Sequence, residues 1–339
     1  MSDNGSVGSA VQFVVVWKQG KVSSVSTTSK EVNHFLDLVK MTRSYNTWVN
    51  YVYDLKCFFE VIPRLPEEIT RSDCLAFIKN QDESDYADAT INRRLAAVSS
   101  LFNELALLDF ARFPTNPIYP RPFSRERQPA KQSLYRRQAK RIPDILEDKE
   151  LQTFIESLPS WRDRTLVLLM WVSCLRVSEA VAVRFEDIEC SRRSIHIPVA
   201  KWGNVRTVFM DEVTFSALNR YLDEERQELF PDVAQIFVAF KGKARGRPLM
   251  VNAVQKMLKY YADRCRLPHI HAHLFRHTGI TQLVQQGMPE PAIRQFVGHR
   301  SPDSLLPYLH LTDDFVESEF ENAQSGLDLA SWFETGGTA

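Results

Sequence analysis

Long apolar runs are missing from this chain. The longest, Thr165 to Leu175, is well short of the ~20 residues a membrane-spanning helix needs. The start carries Asp3 and no basic segment ahead of an apolar stretch, so neither a secretory signal nor a membrane span is expected. Cysteine is also scarce. Cys57, Cys74, Cys174, Cys190 and Cys265 are odd in number, scattered, and form no CxxC pair, which points to reduced core or surface residues of a cytoplasmic protein. No internal repeat is visible.

Net charge is absent as well: 42 Lys and Arg balance 42 Asp and Glu. A neutral total argues against a nucleic-acid partner until the charge is mapped along the chain. From Thr312 to Ala339 there are seven acidic residues and no lysine or arginine, so the rest of the chain carries +7. Between Arg121 and Arg141 eight basic residues stand against Glu126 alone. A basic strap lies mid-chain and an acidic tail ends it.

What is present is enough for two domains: 339 residues, 44% of them hydrophobic. Residues 1–28 form an N-terminal extension with a short hairpin expected around Lys18-Gln19-Gly20-Lys21. Trp48, Tyr51, Val52, Leu55, Phe58, Phe59 and Ile62 recur at helical spacing after a Ser44 cap. Thr70-Arg71-Ser72-Asp73 has the form of a capping box, and Thr90 is the expected cap of a longer helix through Leu108. Residues 29–113 therefore read as an all-helical bundle. Pro114, Pro117, Pro120 and Pro122 break helix there, and residues 114–142 read as a basic linker. Beyond it the pattern mixes helices with short strands at 194–199 and 205–210 around a Trp202-Gly203-Asn204 turn, a third strand at 236–239, and helices near 251–264, 275–286 and 290–297. The second domain is thus α+β with helices in the majority.

Chemistry gathers in this second part. Arg176 sits in Ser173-Cys174-Leu175-Arg176-Val177-Ser178-Glu179, followed by His273-Leu274-Phe275-Arg276-His277, Gly298-His299 and Tyr308. Arginine offers a planar fork of donors that fits phosphate oxygens, histidine moves protons near neutral pH, and tyrosine can hold a covalent phosphate ester. In this order the set suggests phosphodiester chemistry without a metal.

These residues resemble the tyrosine recombinase (phage integrase) family, of the Xer and integrase kind, over residues 29 to 312. Its arginine motif is matched by Cys174-Leu175-Arg176-Val177-Ser178-Glu179, its hairpin lysine by Lys201, its His-x-x-Arg by His273 and Arg276, its Gly-His by Gly298 and His299, and its nucleophile by Tyr308. Cys174 stands where glycine is common, Phe275 where leucine is common, and Pro307 directly precedes the tyrosine. The resemblance implies a mainly α fold with a small sheet: a SAM-like core-binding domain at 29–113 and an α+β catalytic domain at 143–324, followed by the acidic tail 325–339.

The function implied is site-specific recombination through a 3′-phosphotyrosyl intermediate and a Holliday junction, with no metal or nucleotide cofactor. Tyr308 would attack the scissile phosphate, Arg176 and Arg276 would neutralise the nonbridging oxygens, Lys201 would protonate the leaving 5′-oxygen, His273 would help take the tyrosine proton, and His299 would donate to a phosphate oxygen. Glu179 would buttress His273 or an arginine. Implied partners are double-stranded DNA with specific sites, three further copies of the chain in a tetramer on DNA, and an accessory directionality factor; the implied location is cytoplasmic, with the nucleoid. Candidate DNA contacts are Arg121, Arg125, Arg127, Lys131, Arg136, Arg137, Lys140 and Arg141 on the strap, Lys241, Lys243, Arg245 and Arg247 on a Gly-containing loop, and Arg93 and Arg94 on the long helix. Leu327, Leu329, Trp332 and Phe333 suit the tail to docking on a neighbouring copy.

Other readings stay open. The fold could serve a catalytically inactive DNA-binding regulator, or a topoisomerase-like or telomere-resolving enzyme. The alternation His269, His271, His273 could hold Zn²⁺ in a metal-dependent nuclease, although no cysteine or carboxylate motif lies nearby.

Overall fold

The computed structural model of the chain describes residues 10–119, 133–136, 144–198, 205–226 and 233–298. The chain divides into two compact units, residues 1–139 and 140–339.

In the first unit, β1 (Phe13–Lys18) pairs antiparallel with β2 (Lys21–Thr27). Gln19 and Gly20 between them both have positive φ, +50° and +74°, the geometry of a two-residue hairpin turn that follows the strand twist. The hairpin is part of the helical core. Val11 and Val22 are buried with the helices, Phe13 lies 6.2 Å from Phe59 between ring centroids, and the Val22 N–H donates to the Tyr45 hydroxyl at 2.7 Å. Among the described residues four α-helices follow: α1 (Lys30–Thr42), α2 (Tyr45–Val61), α3 (Arg71–Glu83) and α4 (Asp88–Leu108). Ser44 caps α2, and Thr70 with Asp73 closes a reciprocal capping box on α3. Helix α4 begins two residues before the expected Thr90 cap. Ala87 takes the extended cap conformation and Asp88 opens the first turn, where a negative charge meets the positive end of the helix. Phe58, Phe77 and Leu95 are fully buried at the centre.

The second unit carries a three-stranded antiparallel sheet in the order β3 (Ile188–Glu189), β4 (Ser194–Ile197), β5 (Arg206–Phe209). Ile195 stands opposite Val208 and Ile197 opposite Arg206. The strand expected at 236–239 does not join this sheet; β3 is its third member. Ile236, Phe237 and Val238 are fully buried, but the Ile236 carbonyl accepts from the Tyr221 hydroxyl at 2.9 Å and from Arg226 at 3.1 Å. The backbone bonds of the segment go instead to two other segments, Ile236 N–H to the Val183 carbonyl at 3.0 Å and Leu249 N–H to the Phe237 carbonyl at 2.9 Å, with isolated bridges at Arg184–Gln235 and Val238–Pro248 in place of a continuous ladder. Around the sheet lie α5 (Asp148–Ser157), α6 (Trp161–Trp171), α7 (Val177–Ala180), α8 (Glu212–Arg220), α9 (Val251–Arg264), α10 (Ala272–Gln285) and α11 (Glu290–Val297). Helix α10 starts three residues earlier than the spacing suggests, which puts His273 on its first turn and not in a loop.

Close approach of α6 and α10 positions everything that follows. At Gly279 a Cβ would lie 2.0 Å from the Trp171 carbonyl oxygen and 3.0 Å from the Cys174 Sγ. Only glycine lets the two backbones touch there.

Candidate active site

Arg176 follows a turn at the end of α6. Cys174 in that turn has φ +51°, a left-handed conformation that glycine adopts without cost, which explains why glycine suits this position. The cysteine side chain is buried, and burial pushes its thiol up to about 12, so it stays protonated. Its Sγ–H faces the Trp171 carbonyl at 3.4 Å. Arg176 then opens α7. Its N–H donates to Glu179 Oε2 at 2.9 Å and its Nη1 to Oε1 at 3.0 Å, so a cap three residues long fixes both ends of the motif.

Arg276 reaches the same place from α10. Its Nη1 donates to the Cys174 carbonyl and its Nη2 to the Val297 carbonyl at 2.7 Å, while Nη1 lies 3.8 Å from Glu179 Oε2. It is 2% exposed. Burial, reinforced by the charge of Arg176, lowers its pKa to about 10, so it remains a cation at neutral pH. The arginine thus ties the turn before Arg176 to the end of α11, one residue before Gly298.

A third arginine completes the cluster. Arg206, the first residue of β5, donates from Nη1 to Glu179 Oε1 at 3.1 Å, from Nη2 to Oε2 at 2.8 Å, and from Nε to the Phe296 carbonyl at 2.9 Å. Burial acts to raise the Glu179 pKa, but the hydrogen bonds from Arg206 and the Arg176 backbone, with the charges of both arginines, hold it below the usual carboxylate range. Glu179 therefore buttresses arginines. Gly298 caps α11 at φ +69°, and a Cβ there would sit 2.9 Å from Arg206 Nη1.

His273 stands one turn before Arg276 on α10, and His277 one turn after His273, with ring centroids 5.1 Å apart at 83°. Partial loss of water, then the charges of Arg276 and Arg176, lower the His273 pKa. Loss of water, then His273 and Arg276, bring His277 down to about 4. At neutral pH His273 is an uncharged base. Both folded pKa values lie below the ordinary 6.5, so the unfolded chain binds protons more readily, and stability present above pH 6.5 is lost as pH falls towards 4. His277→Gln is expected to flatten the decline in unfolding free energy between pH 7 and 4.5 by about 1–2 kcal/mol, allowing for the solvent that still reaches the ring. Urea titrations at both pH values check it; an unchanged slope would show that His277 is not the group involved.

The phage integrase family profile matches residues 132–314, more than half of the chain. The chain belongs to the phage integrase family. The N-terminal SAM-like domain profile of phage integrases matches residues 32–107. Among similar proteins, a tyrosine recombinase of Thermosipho africanus is 26% identical over 295 residues, covering 84% of this chain and 96% of that protein. Tyrosine recombinase XerC of Roseiflexus castenholzii is 29% identical over 283 residues, 80% and 85% of the two chains. Among solved structures, the Tn1549 transposon integrase in complex with transposon right end DNA superposes with a TM-score of 0.69 at 17% identity, covering 87% of this chain and 99% of that one. The chain is accordingly a tyrosine site-specific recombinase with a mainly helical, two-domain fold.

The recombinase brings together four of the residues singled out from its sequence: Arg176, Glu179, His273 and Arg276. Lys201, His299 and Tyr308 lie outside the described residues, as do Arg121, Arg125, Arg127, Lys131, Arg137, Lys140, Arg141 and the tail residues Leu327, Leu329, Trp332 and Phe333. His269 pairs with Glu150 at 3.3 Å, and His271 Nδ1 is 2.9 Å from the His269 carbonyl. Lys241, Lys243, Arg245 and Arg247 are all exposed on a loop pinned by Ala239 N–H to the Arg247 carbonyl at 3.0 Å and Gly246 N–H to the Ala239 carbonyl at 2.8 Å. In the first unit, Arg93 is exposed and donates to the buried Asp54 at 2.9 Å. Arg94 donates to Gln81 and lies 4.0 Å over the Tyr86 ring. Arg136 pairs with Asp82 and with Asp88. Arg206 and His277 escaped sequence reasoning as site residues. The one signal for Arg206 was its place at an inward position of the alternation Arg206-Thr207-Val208-Phe209, where an apolar residue is the norm.

Proposed function

We propose that the recombinase breaks and rejoins DNA through Tyr308, with the two arginines that meet at Glu179 as its transition-state clamp. The observation that carries this reading is the convergence of Arg176 and Arg276, 100 residues apart in sequence, on one buried carboxylate. Tyr308 Oη attacks the scissile phosphorus and its proton passes to the neutral His273. The bond from phosphorus to the 5′-oxygen breaks, and that oxygen takes a proton from Lys201. Arg176, Arg276 and His299 neutralise the charge that builds on the nonbridging oxygens. The phosphotyrosyl ester retains the energy of the bond it replaces, so a second 5′-hydroxyl can reverse the step onto a partner duplex through a Holliday junction.

On this reading four copies act together on two duplexes, with an accessory factor setting direction, in the cytoplasm. The linker 114–142 with its strap arginines and lysines, the loop bearing Lys241, Lys243, Arg245 and Arg247, and Arg93 and Arg94 hold the backbone of the DNA. The Tn1549 transposon integrase, solved with transposon right end DNA and similar in fold, supports the DNA contact itself. The test is a nicked suicide duplex taken from DNA flanking the gene, in EDTA. The expected product is an SDS-resistant adduct on the 3′-phosphate end. Site-specific binding without an adduct would favour a regulator, and an adduct or nick appearing only on adding metal would overturn the tyrosine mechanism.

A further inference from the structure

The carboxylate of Glu179 is full. An ionised carboxylate offers about four lone-pair sites, and here four hydrogen bonds occupy them: Arg206 Nη1 and Arg176 Nη1 on Oε1, Arg206 Nη2 and the Arg176 N–H on Oε2. Arg206 spends all three guanidinium nitrogens inside the protein, two on this carboxylate and Nε on the Phe296 carbonyl. Its side chain is 3% exposed. It presents no fork to a ligand. Arg176 is the opposite: its side chain is 37% exposed, and among the described residues it gives Glu179 one Nη and keeps its other side-chain nitrogens clear.

We propose that Arg206 is a positioning residue that occupies Glu179 with its own fork and thereby keeps the Arg176 guanidinium turned outward, with donors left over for a phosphate. The inference rests on the reading of Arg176 and Arg276 as the phosphate clamp. Fork-to-fork pairing is the preferred geometry of arginine with carboxylate. A buried carboxylate with two vacant sites would draw in the nearest guanidinium, and among the described residues the two in reach are Arg176 at 3.0 Å and Arg276 at 3.8 Å. Either would be neutralised and turned away from substrate. Arg206 satisfies the carboxylate and, among the described residues, leaves the cluster with three cations and one anion, a net positive site for an anionic phosphate. It also fixes the end of α11, because its Nη1 lies 2.9 Å from where a Cβ at Gly298 would be and its Nε holds the Phe296 carbonyl.

The proposal makes a prediction that a purely structural role does not. Arg206→Met frees Glu179 to capture Arg176, and single-turnover adduct formation on the suicide duplex is expected to slow about 100-fold at saturating protein, with DNA affinity within about threefold of wild type. Glu179→Gln alone also slows the reaction, since it removes the buttress. Combined, Arg206→Met with Glu179→Gln is expected to react about tenfold faster than Arg206→Met alone, because the carboxylate that captures Arg176 is gone. Arg206→Lys keeps the charge without the fork and remains slow.

A double variant no faster than Arg206→Met, or an Arg206→Met that reacts like wild type, overturns the proposal. If Arg206→Met does not fold by urea titration, the comparison of Arg206→Lys with Arg206→Lys/Glu179→Gln asks the same question. Arg176→Ala is run alongside. A slow Arg176→Ala with no rescue in the double variant removes this proposal alone, whereas an Arg176→Ala as fast as wild type removes the reading of the clamp and the proposal with it.

Discussion

Tyr308→Phe is expected to form no covalent adduct, and Arg276→Ala to form it roughly 100–1000 times more slowly than wild type. The two differ in kind. Phenylalanine has no oxygen to make the ester, so the reaction has no route. Loss of Arg276 leaves the nucleophile in place and removes one preorganised cation from a site out of bulk water, where such a charge is worth most. The geometry makes Arg276 costly to lose for a second reason. Its Nη groups satisfy the Cys174 and Val297 carbonyls, and leaving both without a donor is expected to lower stability by about 2–4 kcal/mol. Adduct rates measured at saturating protein, with unfolding free energies beside them, separate the two effects. Arg276→Lys helps to divide them further, since an ammonium keeps the charge but cannot reach both carbonyls as the planar fork does. An Arg276→Ala that folds stably and cleaves like wild type would remove it from the clamp.

Gly279→Ala is expected to destabilise the second unit by about 3 kcal/mol or more. Ordinary overpacking is relieved when a flexible side chain moves. Here the added methyl meets the backbone oxygen of Trp171 at 2.0 Å, so α10 must back away from α6. That displacement carries Arg276 away from the Cys174 carbonyl and the turn that presents Arg176, so the adduct rate falls together with stability. Urea unfolding reads the first effect, and adduct formation under conditions where the variant is folded reads the second. A loss of less than about 1 kcal/mol would mean that the helices separate easily and that their approach does not set the site.

How much of this was legible in the sequence follows from how local each feature is. Arg176 and Glu179 sit three residues apart across a helix start, and His273 and Arg276 share one face of α10. Those relations are written into spacing alone. The capping box at Thr70 and Asp73 is local too, and it formed as read. The start of α4 differs from its expected place because two signals compete within three residues, a threonine that can cap and an aspartate that favours the first turn. The segment 236–239 has the composition of a strand, but its backbone meets Val183 and Leu249 through single bonds and isolated bridges, and Tyr221 and Arg226 hold the Ile236 carbonyl. No alternation pattern carries that information.

The family, the helical first domain, the mixed second domain and the order of the arginines, histidines and tyrosine can be read along the chain, because periodicity, capping and each short motif act over a few residues. That Glu179 serves three arginines, that Arg206 lies buried behind Arg176, and that Cys174 stands in a left-handed turn against Gly279 emerges from the packed chain alone. Each of those depends on where β5, α6, α10 and α11 meet. Such contacts join residues up to about a hundred positions apart, and they arise from packing that fills the core and leaves few buried polar groups unpaired.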